Sequence, residues 1–253
     1  MRETPPADPS ERDPATFDPD RYDAVLFDLD GVLTPTVEIH KRAWRELFTG
    51  YFSEHGITPQ YTDEDYFAHV DGRPRYEGVR ECLASRDVRI PEGDPSDEPG
   101  TPTVCGLGNL KDAEVNRILA TDGVQPYPGS VAWLDALVAG GTRVAVVSSS
   151  RNTRTVLAAA DLADRFTVVV DGVRAAADGL PGKPRPDTYV QAARDLGVPV
   201  QRAVVVEDAV SGVAAGRAGD FGLVIGVDRG VGHDALRDAG ADLVVADLAE
   251  LLP

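Results

Sequence analysis

Short apolar runs alternate with amphipathic stretches over most of this chain, and the two periodicities separate its elements. Runs such as Ala24-Val-Leu-Phe27 and Ala203-Val-Val-Val206 carry no polar alternation, which marks strands buried on both faces. Strands are expected near residues 24–28, 143–148, 167–171, 203–207, 221–227 and 243–246. Helical periodicity lies between them, near 129–139, 152–160 and 186–196, with a glycine-punctuated helix over Ser211 to Ala218. Strand and helix in alternation predict an α/β protein with a doubly wound, parallel, Rossmann-like core sheet.

The alternation breaks from about residue 37 to 123, where helical patterns at 38–54, 63–70, 74–86 and 109–120 follow one another without strands. This segment is expected to be an inserted helical domain over the strand ends, with the Pro-, Gly- and acid-rich stretch 91–108 as a flexible loop inside it. Residues 1–20 lack periodic apolar positions and read as a disordered tail. The division is therefore a tail at 1–20, a core at 21–36 and 124–253, and an insert at 37–123.

With 253 residues and 42% hydrophobic composition the chain can bury such a core and a smaller domain beside it. A formal charge of −17 and a pI near 4.5 argue against nucleic acid or an anionic membrane as partner. An anionic ligand would have to meet a local positive site. No run of about eighteen apolar residues spans a bilayer, and the N-terminus lacks a secretory pattern, so a soluble cytoplasmic protein is expected. No segment points to an obligate protein partner. Cys82 and Cys105 are too few for a disulfide framework and have no partners at metal spacing, and read as reduced and non-catalytic.

Candidate chemistry gathers where the apolar strands end. Asp28 and Asp30 leave the first strand two residues apart, so both side chains point to one side and can flank one substrate atom, one attacking and the other moving a proton. The same Asp-Leu-Asp-Gly run also suits the start of a turn. Ser148, Ser149 and Ser150 end the second strand, offering hydroxyls and backbone N–H groups to an anion ahead of a helix near Asn152. Lys183 sits in Gly-Leu-Pro-Gly-Lys-Pro-Arg-Pro, which suits a fixed loop, although a lone loop lysine is usually solvated. Glu207 and Asp208 end another Val-rich strand, where adjacent acids alone are more often surface charge.

These four segments, in this order over about residues 22 to 250, resemble the haloacid dehalogenase superfamily, mostly magnesium-dependent phosphatases and phosphomutases with an aspartyl-phosphate intermediate. The run from Phe27 to Trp44 resembles the β-phosphoglucomutase group in particular. The resemblance implies that Asp28 is the nucleophile and Asp30 the general acid and base. It implies that Ser148 and Lys183 hold the transferring phosphoryl group. The Asp28 carboxylate, the Asp30 backbone carbonyl, Glu207 and Asp208 would bind Mg²⁺. Asp30 also separates the chain from the dehalogenases, which lack an acid at this place.

Substrate contacts implied by the same resemblance are His40 and Trp44, one helical turn apart, then Gly72 and Arg75, with Arg73 as an alternative to Arg75. Lys111 is expected to support closure of the insert as a cap. Ser149, Ser150, Arg151 and Asn152 would meet a second phosphate or sugar hydroxyls, with Arg151 where the family usually has lysine. Pro35 stands where an acid is usual, which puts any contact of that side chain during cap movement in doubt. The expected function is interconversion of β-glucose 1-phosphate and glucose 6-phosphate through a bisphosphate. The alternatives are a phosphatase for a sugar or polyol phosphate, and a non-catalytic protein binding the small-molecule sugar phosphate.

Overall fold

Six parallel strands form one sheet in a computed structural model of the chain, which describes residues 18–252. They are β1 (Ala24–Phe27), β2 (Arg143–Val147), β3 (Val168–Val170), β4 (Ala203–Glu207), β5 (Leu223–Val227) and β6 (Leu243–Val245), in spatial order β3-β2-β1-β4-β5-β6. The order reverses beside β1, and such switch points are where open α/β sheets bind ligands. Helices α1 (Thr36–His55), α2 (Asp63–Asp65), α3 (Arg75–Ala84) and α4 (Val104–Asp122) all fall between β1 and β2. The remaining helices are α5 (Pro128–Ala139), α6 (Thr153–Ala159), α7 (Gly172–Ala177), α8 (Asp187–Leu196), α9 (Val210–Ala218) and α10 (His233–Asp238). No helix among the described residues is long and apolar enough to cross a membrane.

Strand pleat sorts the apolar runs into two cores. Val25, Phe27, Val144, Val146, Val204 and Val206 face α5 and α6, where Trp133, Leu134, Val156 and Leu157 are buried. Ala24, Leu26, Ala145, Val147, Ala203 and Val205 face Tyr189, Ala192, Val213 and Leu236 of α8, α9 and α10. Helices on both faces account for the unbroken apolar runs. A third cluster belongs to α1, α3 and α4, around Trp44, Phe48, Phe52, Val79, Leu83 and Leu107. The elements from α1 to α4 thus have apolar packing of their own, while Ala43, Val115 and Leu119 tie α1 and α4 to the sheet-side core.

One expectation needs correction. The stretch 91–108 is not a loop throughout, because α4 begins at Val104. Thr103 caps it by accepting the Gly106 N–H at 2.9 Å, and the Val104 N–H reaches back to the Pro91 carbonyl at 2.9 Å. Gly108, a loop signal in the sequence, is a packing residue here: a Cβ would lie 2.7 Å from the Tyr76 ring. The expected tail at 1–20 lies mostly outside the described residues, and within them Pro19–Arg21 form a 3₁₀ turn.

Phe27 meets Trp133 edge to face at 5.5 Å, and Trp133 is almost fully buried on α5 against the sheet face that carries Phe27. Trp133→Ala should therefore cost about 3–5 kcal/mol, a large part of a domain's stability, measured as a lower midpoint of urea unfolding. A loss below about 1 kcal/mol would show that this core face can collapse around the cavity.

Candidate active site

Sheet register brings the strand-end residues together. Phe27 pairs with Val146 on one side and Val206 on the other, so Asp28 emerges between Ser148 and Glu207. The Asp28 N–H donates to the Val206 carbonyl at 2.9 Å, which extends β1 by one bond and fixes the carboxylate beside β4. Lys183 reaches in from the loop between α7 and α8, and its Nζ lies 2.5 Å from Asp28 Oδ1 and 2.5 Å from Glu207 Oε1. Its side chain is only 2% exposed. Glu207 is further held by the Tyr189 hydroxyl at 3.1 Å and by the backbone N–H groups of Asp208 and Ala209, each at 3.0 Å. Burial works against the Lys183 ammonium, but Asp28 and Glu207 outweigh it and hold the lysine protonated.

Asp28, Glu207 and Asp208 each offer a carboxylate oxygen within 4.8 Å of one another, and all three are buried. Burial pushes Asp28 and Asp208 well above the usual carboxylate range, and the neighbouring acids push the same way. Such a set is short of positive charge and consists of hard oxygen donors, which fits a small divalent cation. Gly31 permits the approach: its φ is +86°, and a Cβ there would lie 1.9 Å from Asp208 Oδ2.

Asp30 lives in the opposite environment. Its Oδ1 accepts from the Thr36 hydroxyl at the start of α1 and lies 3.2 Å from His40 Nε2, while its Oδ2 takes the Ser148 hydroxyl at 3.3 Å. Burial raises this carboxyl, but the charge and hydrogen bond of His40, the Thr36 hydroxyl and Lys111 together bring it down to about 2. On the far side of the imidazole, Lys111 Nζ is 2.5 Å from His40 Nδ1. Lys111 also lies over the Trp44 ring, 5.0 Å from its centroid, and Trp44 stacks on Phe48 in the insert core.

Polar contacts also join the insert to the strand ends. The Ser149 hydroxyl donates to the Gly72 carbonyl at 3.0 Å, and the Ser211 hydroxyl to the Asp71 carbonyl at 3.2 Å. Between them lies a cavity of about 310 Å³, at the lower end of the range of about 300–1,000 Å³ common for small-ligand sites. Every site residue singled out in the sequence lines it except Asn152, whose side-chain amide instead donates to Asp112 at 2.8 Å. Arg73 and the exposed Arg151 line it as well. Arg75 is paired with Asp112 at 2.7 Å.

The serine run differs from its sequence reading. The Ser148 N–H is taken by the Val170 carbonyl, and the N–H groups of Ser150 and Asn152 donate to the hydroxyls of Ser148 and Ser150. These three N–H groups close the turn, and those of Ser149 and Arg151 are not among them. Sequence reasoning also missed Thr36, Tyr189, Asp71 and Asp112. Thr36 follows the proline that drew attention, Tyr189 reads as an apolar helix position, and Asp112 looks like one more surface acid beside Lys111.

Comparison with known proteins agrees with this geometry. The haloacid dehalogenase-like hydrolase family matches residues 22–220, and the chain belongs to that family. It is 48% identical over 245 residues to the protein named β-phosphoglucomutase in Mycobacterium bovis, covering 92% of this chain and 93% of that one. The β-phosphoglucomutase structure from Clostridium difficile superposes with a TM-score of 0.73 at 22% identity, over 91% of this chain and 93% of its own, a likeness of fold. CbbY from Rhodobacter sphaeroides, solved in complex with xylulose-(1,5)bisphosphate, superposes with a TM-score of 0.68 at 27% identity, over 91% and 96% of the two chains.

Burial depresses Lys111 to about 8, against 10.5 for the free side chain. Below pH 8 the lysine is protonated in folded and unfolded chains alike, and the fold bears the full cost of the buried charge. Above 10.5 both forms are neutral and that cost is gone. Lys111→Met should thus stabilise the protein by about 1–3 kcal/mol at pH 7, with the gain shrinking as pH rises from 8 through 10.5. Urea unfolding of both proteins across that window tests this, and a variant less stable than wild type at pH 7 would contradict it.

Proposed function

We propose that the protein is a Mg²⁺-dependent phosphomutase that interconverts β-glucose 1-phosphate and glucose 6-phosphate through phospho-Asp28, acting as a cytoplasmic enzyme on a small sugar phosphate. The observation that carries this reading is one cavity shared by two differently tuned carboxylates: buried Asp28 against Lys183, and Asp30 held ionised by residues of the insert. The 48% identity to a β-phosphoglucomutase over nearly the whole of both chains supports the choice of sugar. Carboxylates of Asp28, Glu207 and Asp208, with the Asp30 carbonyl, would hold Mg²⁺, which when bound supplies charge that offsets the acids and the phosphoryl oxygens.

The residues then divide the work. With Asp28 phosphorylated, Asp30 starts as the base its environment favours: it takes the proton of the sugar C6 hydroxyl while that oxygen attacks phosphorus and the bond from phosphorus to Asp28 breaks. The product is glucose 1,6-bisphosphate, with Asp30 now protonated. After the sugar turns over, Asp28 attacks the phosphorus at C1, the bond to the sugar oxygen breaks, and Asp30 returns its proton to that oxygen. Glucose 6-phosphate leaves and phospho-Asp28 is restored. Lys183 and the Ser148 hydroxyl steady the transferring group, and Arg75 holds the phosphate at the other end of the sugar. Closure by the Gly72 and Asp71 contacts favours transfer to sugar over water.

Phosphorus NMR of the protein with Mg²⁺, β-glucose 1-phosphate and a trace of bisphosphate should show glucose 6-phosphate accumulating. Release of inorganic phosphate with no isomer formed would replace this reading with a sugar-phosphate phosphatase. Arg75→Ala should slow isomerisation at least about tenfold, since a charge-assisted phosphate contact is worth about 1.5–3 kcal/mol. Indifference to that change would move the distal contact to Arg73.

A further inference from the structure

We propose that Asp112 is a built-in competitor for the distal phosphate: its carboxylate occupies the space between Arg75 and Asn152 that a ligand's second phosphate must enter. The inference rests on the mutase reading in naming that ligand group a distal phosphate. One oxygen carries the contact, since Asp112 Oδ1 lies 2.7 Å from Arg75 Nη1 and 2.8 Å from Asn152 Nδ2. Arg75 belongs to the insert and Asn152 precedes α6 of the core, so the same oxygen also bridges the two across the cavity mouth.

A carboxylate is an incomplete partner there. It balances the guanidinium charge, yet the buried Nε and Nη1 of Arg75 find no acceptor in hydrogen-bond geometry, and Nη2 reaches only the Tyr76 hydroxyl at 3.3 Å. A phosphate brings three oxygens and more charge, and can take up donors that a single carboxylate oxygen leaves idle. Asp112 has somewhere to go, because its side chain is 26% exposed and can rehydrate when displaced. Exchange of one anion for another therefore tunes affinity: the ligand binds more weakly by the factor with which Asp112 fills the place. Neutral sugars, which bring no anionic group to Arg75, cannot displace it, which makes Asp112 a specificity-determining residue as well as a latch on the ligand-free cap.

The test is binding of glucose 6-phosphate by calorimetry to the full chain in a chelator, which stops turnover and leaves the core acids uncompensated, so the phosphate seeks the cap side. Asp112→Asn keeps the shape and removes the charge, and Kd should fall at least about threefold. In an Arg75→Ala background the same change should bring no gain, because there is then no guanidinium for the two anions to contest. Asp112→Ser, which shortens the side chain, should repeat the gain if the asparagine variant folds poorly. Weaker or unchanged binding in a folded variant overturns the proposal, the first by making Asp112 a ligand contact and the second a bystander. Because no turnover is involved, tighter binding in a protein that fails to isomerise glucose phosphates would retain the competitor and reject the mutase.

Discussion

Asp28, Glu207 and Asp208 lie within 4.8 Å of one another at the end of the sheet, and Lys183 is placed between the first two. Burying like charges together is among the costliest arrangements a fold can contain, so the surroundings must offset it. Glu207 is satisfied on both oxygens by Lys183, Tyr189 and two backbone N–H groups. Asp28 and Asp208 are not offset to the same degree, and burial leaves them reluctant to ionise. With its three carboxylates ionised against one ammonium, the site is two positive charges short of balance, which is the physical basis for assigning a divalent cation to it. With a net charge of −17 over the chain, attraction for a phosphate ester cannot come from the general surface. It has to come from the few cations that line the cavity.

Those cations are divided between the two parts of the fold, and this is what couples binding to closure. Lys183 belongs to the core, while Lys111 and Arg75 belong to the insert, whose apolar cluster is largely its own. Contacts across the cavity mouth are single hydrogen bonds to the carbonyls of Asp71 and Gly72, together with the bridge through Asp112. Polar junctions of this kind open at modest cost, since water replaces each partner. A bisphosphate is a better bridge than any of them, because it carries one anion for each side.

The sheet was legible in the sequence because both of its faces are covered, which forces unbroken Val- and Ala-rich runs. Asp28, Ser148, Glu207 and Asp208 were legible because they stand where such runs end, and register then places them side by side, whereas Lys183 showed only through its Gly- and Pro-rich loop. The start of α4 was hidden, since Gly106 and Gly108 signal a loop while the fold uses them where neighbouring atoms crowd the helix. Tyr189 and Asp112 were hidden for another reason. Their side chains act on partners far along the chain or across the cavity, as Asp112 does on Arg75 and Asn152, and no local spacing encodes such a pairing.

The same limit applies to Asp28 and Asp30. Two residues apart, they read as an interchangeable pair, and chain spacing cannot say which attacks and which moves the proton. Their environments differ. Asp28 is enclosed by other acids and by Lys183, whereas Asp30 faces His40, Thr36 and Ser148, all of which can donate to it. Two titratable groups pushed in opposite directions are the usual sign of divided labour. His40 and Thr36 both lie on α1, the first helix of the insert, so the ionisation of Asp30 depends on where that helix sits. Movement of α1 away from the sheet would remove the donors that hold Asp30 near a pKa of about 2, and its carboxyl would drift back toward the ordinary range. Under the proposed mechanism, closure would therefore do more than exclude water: it would set the proton affinity of the group that must first take a proton and then give it back.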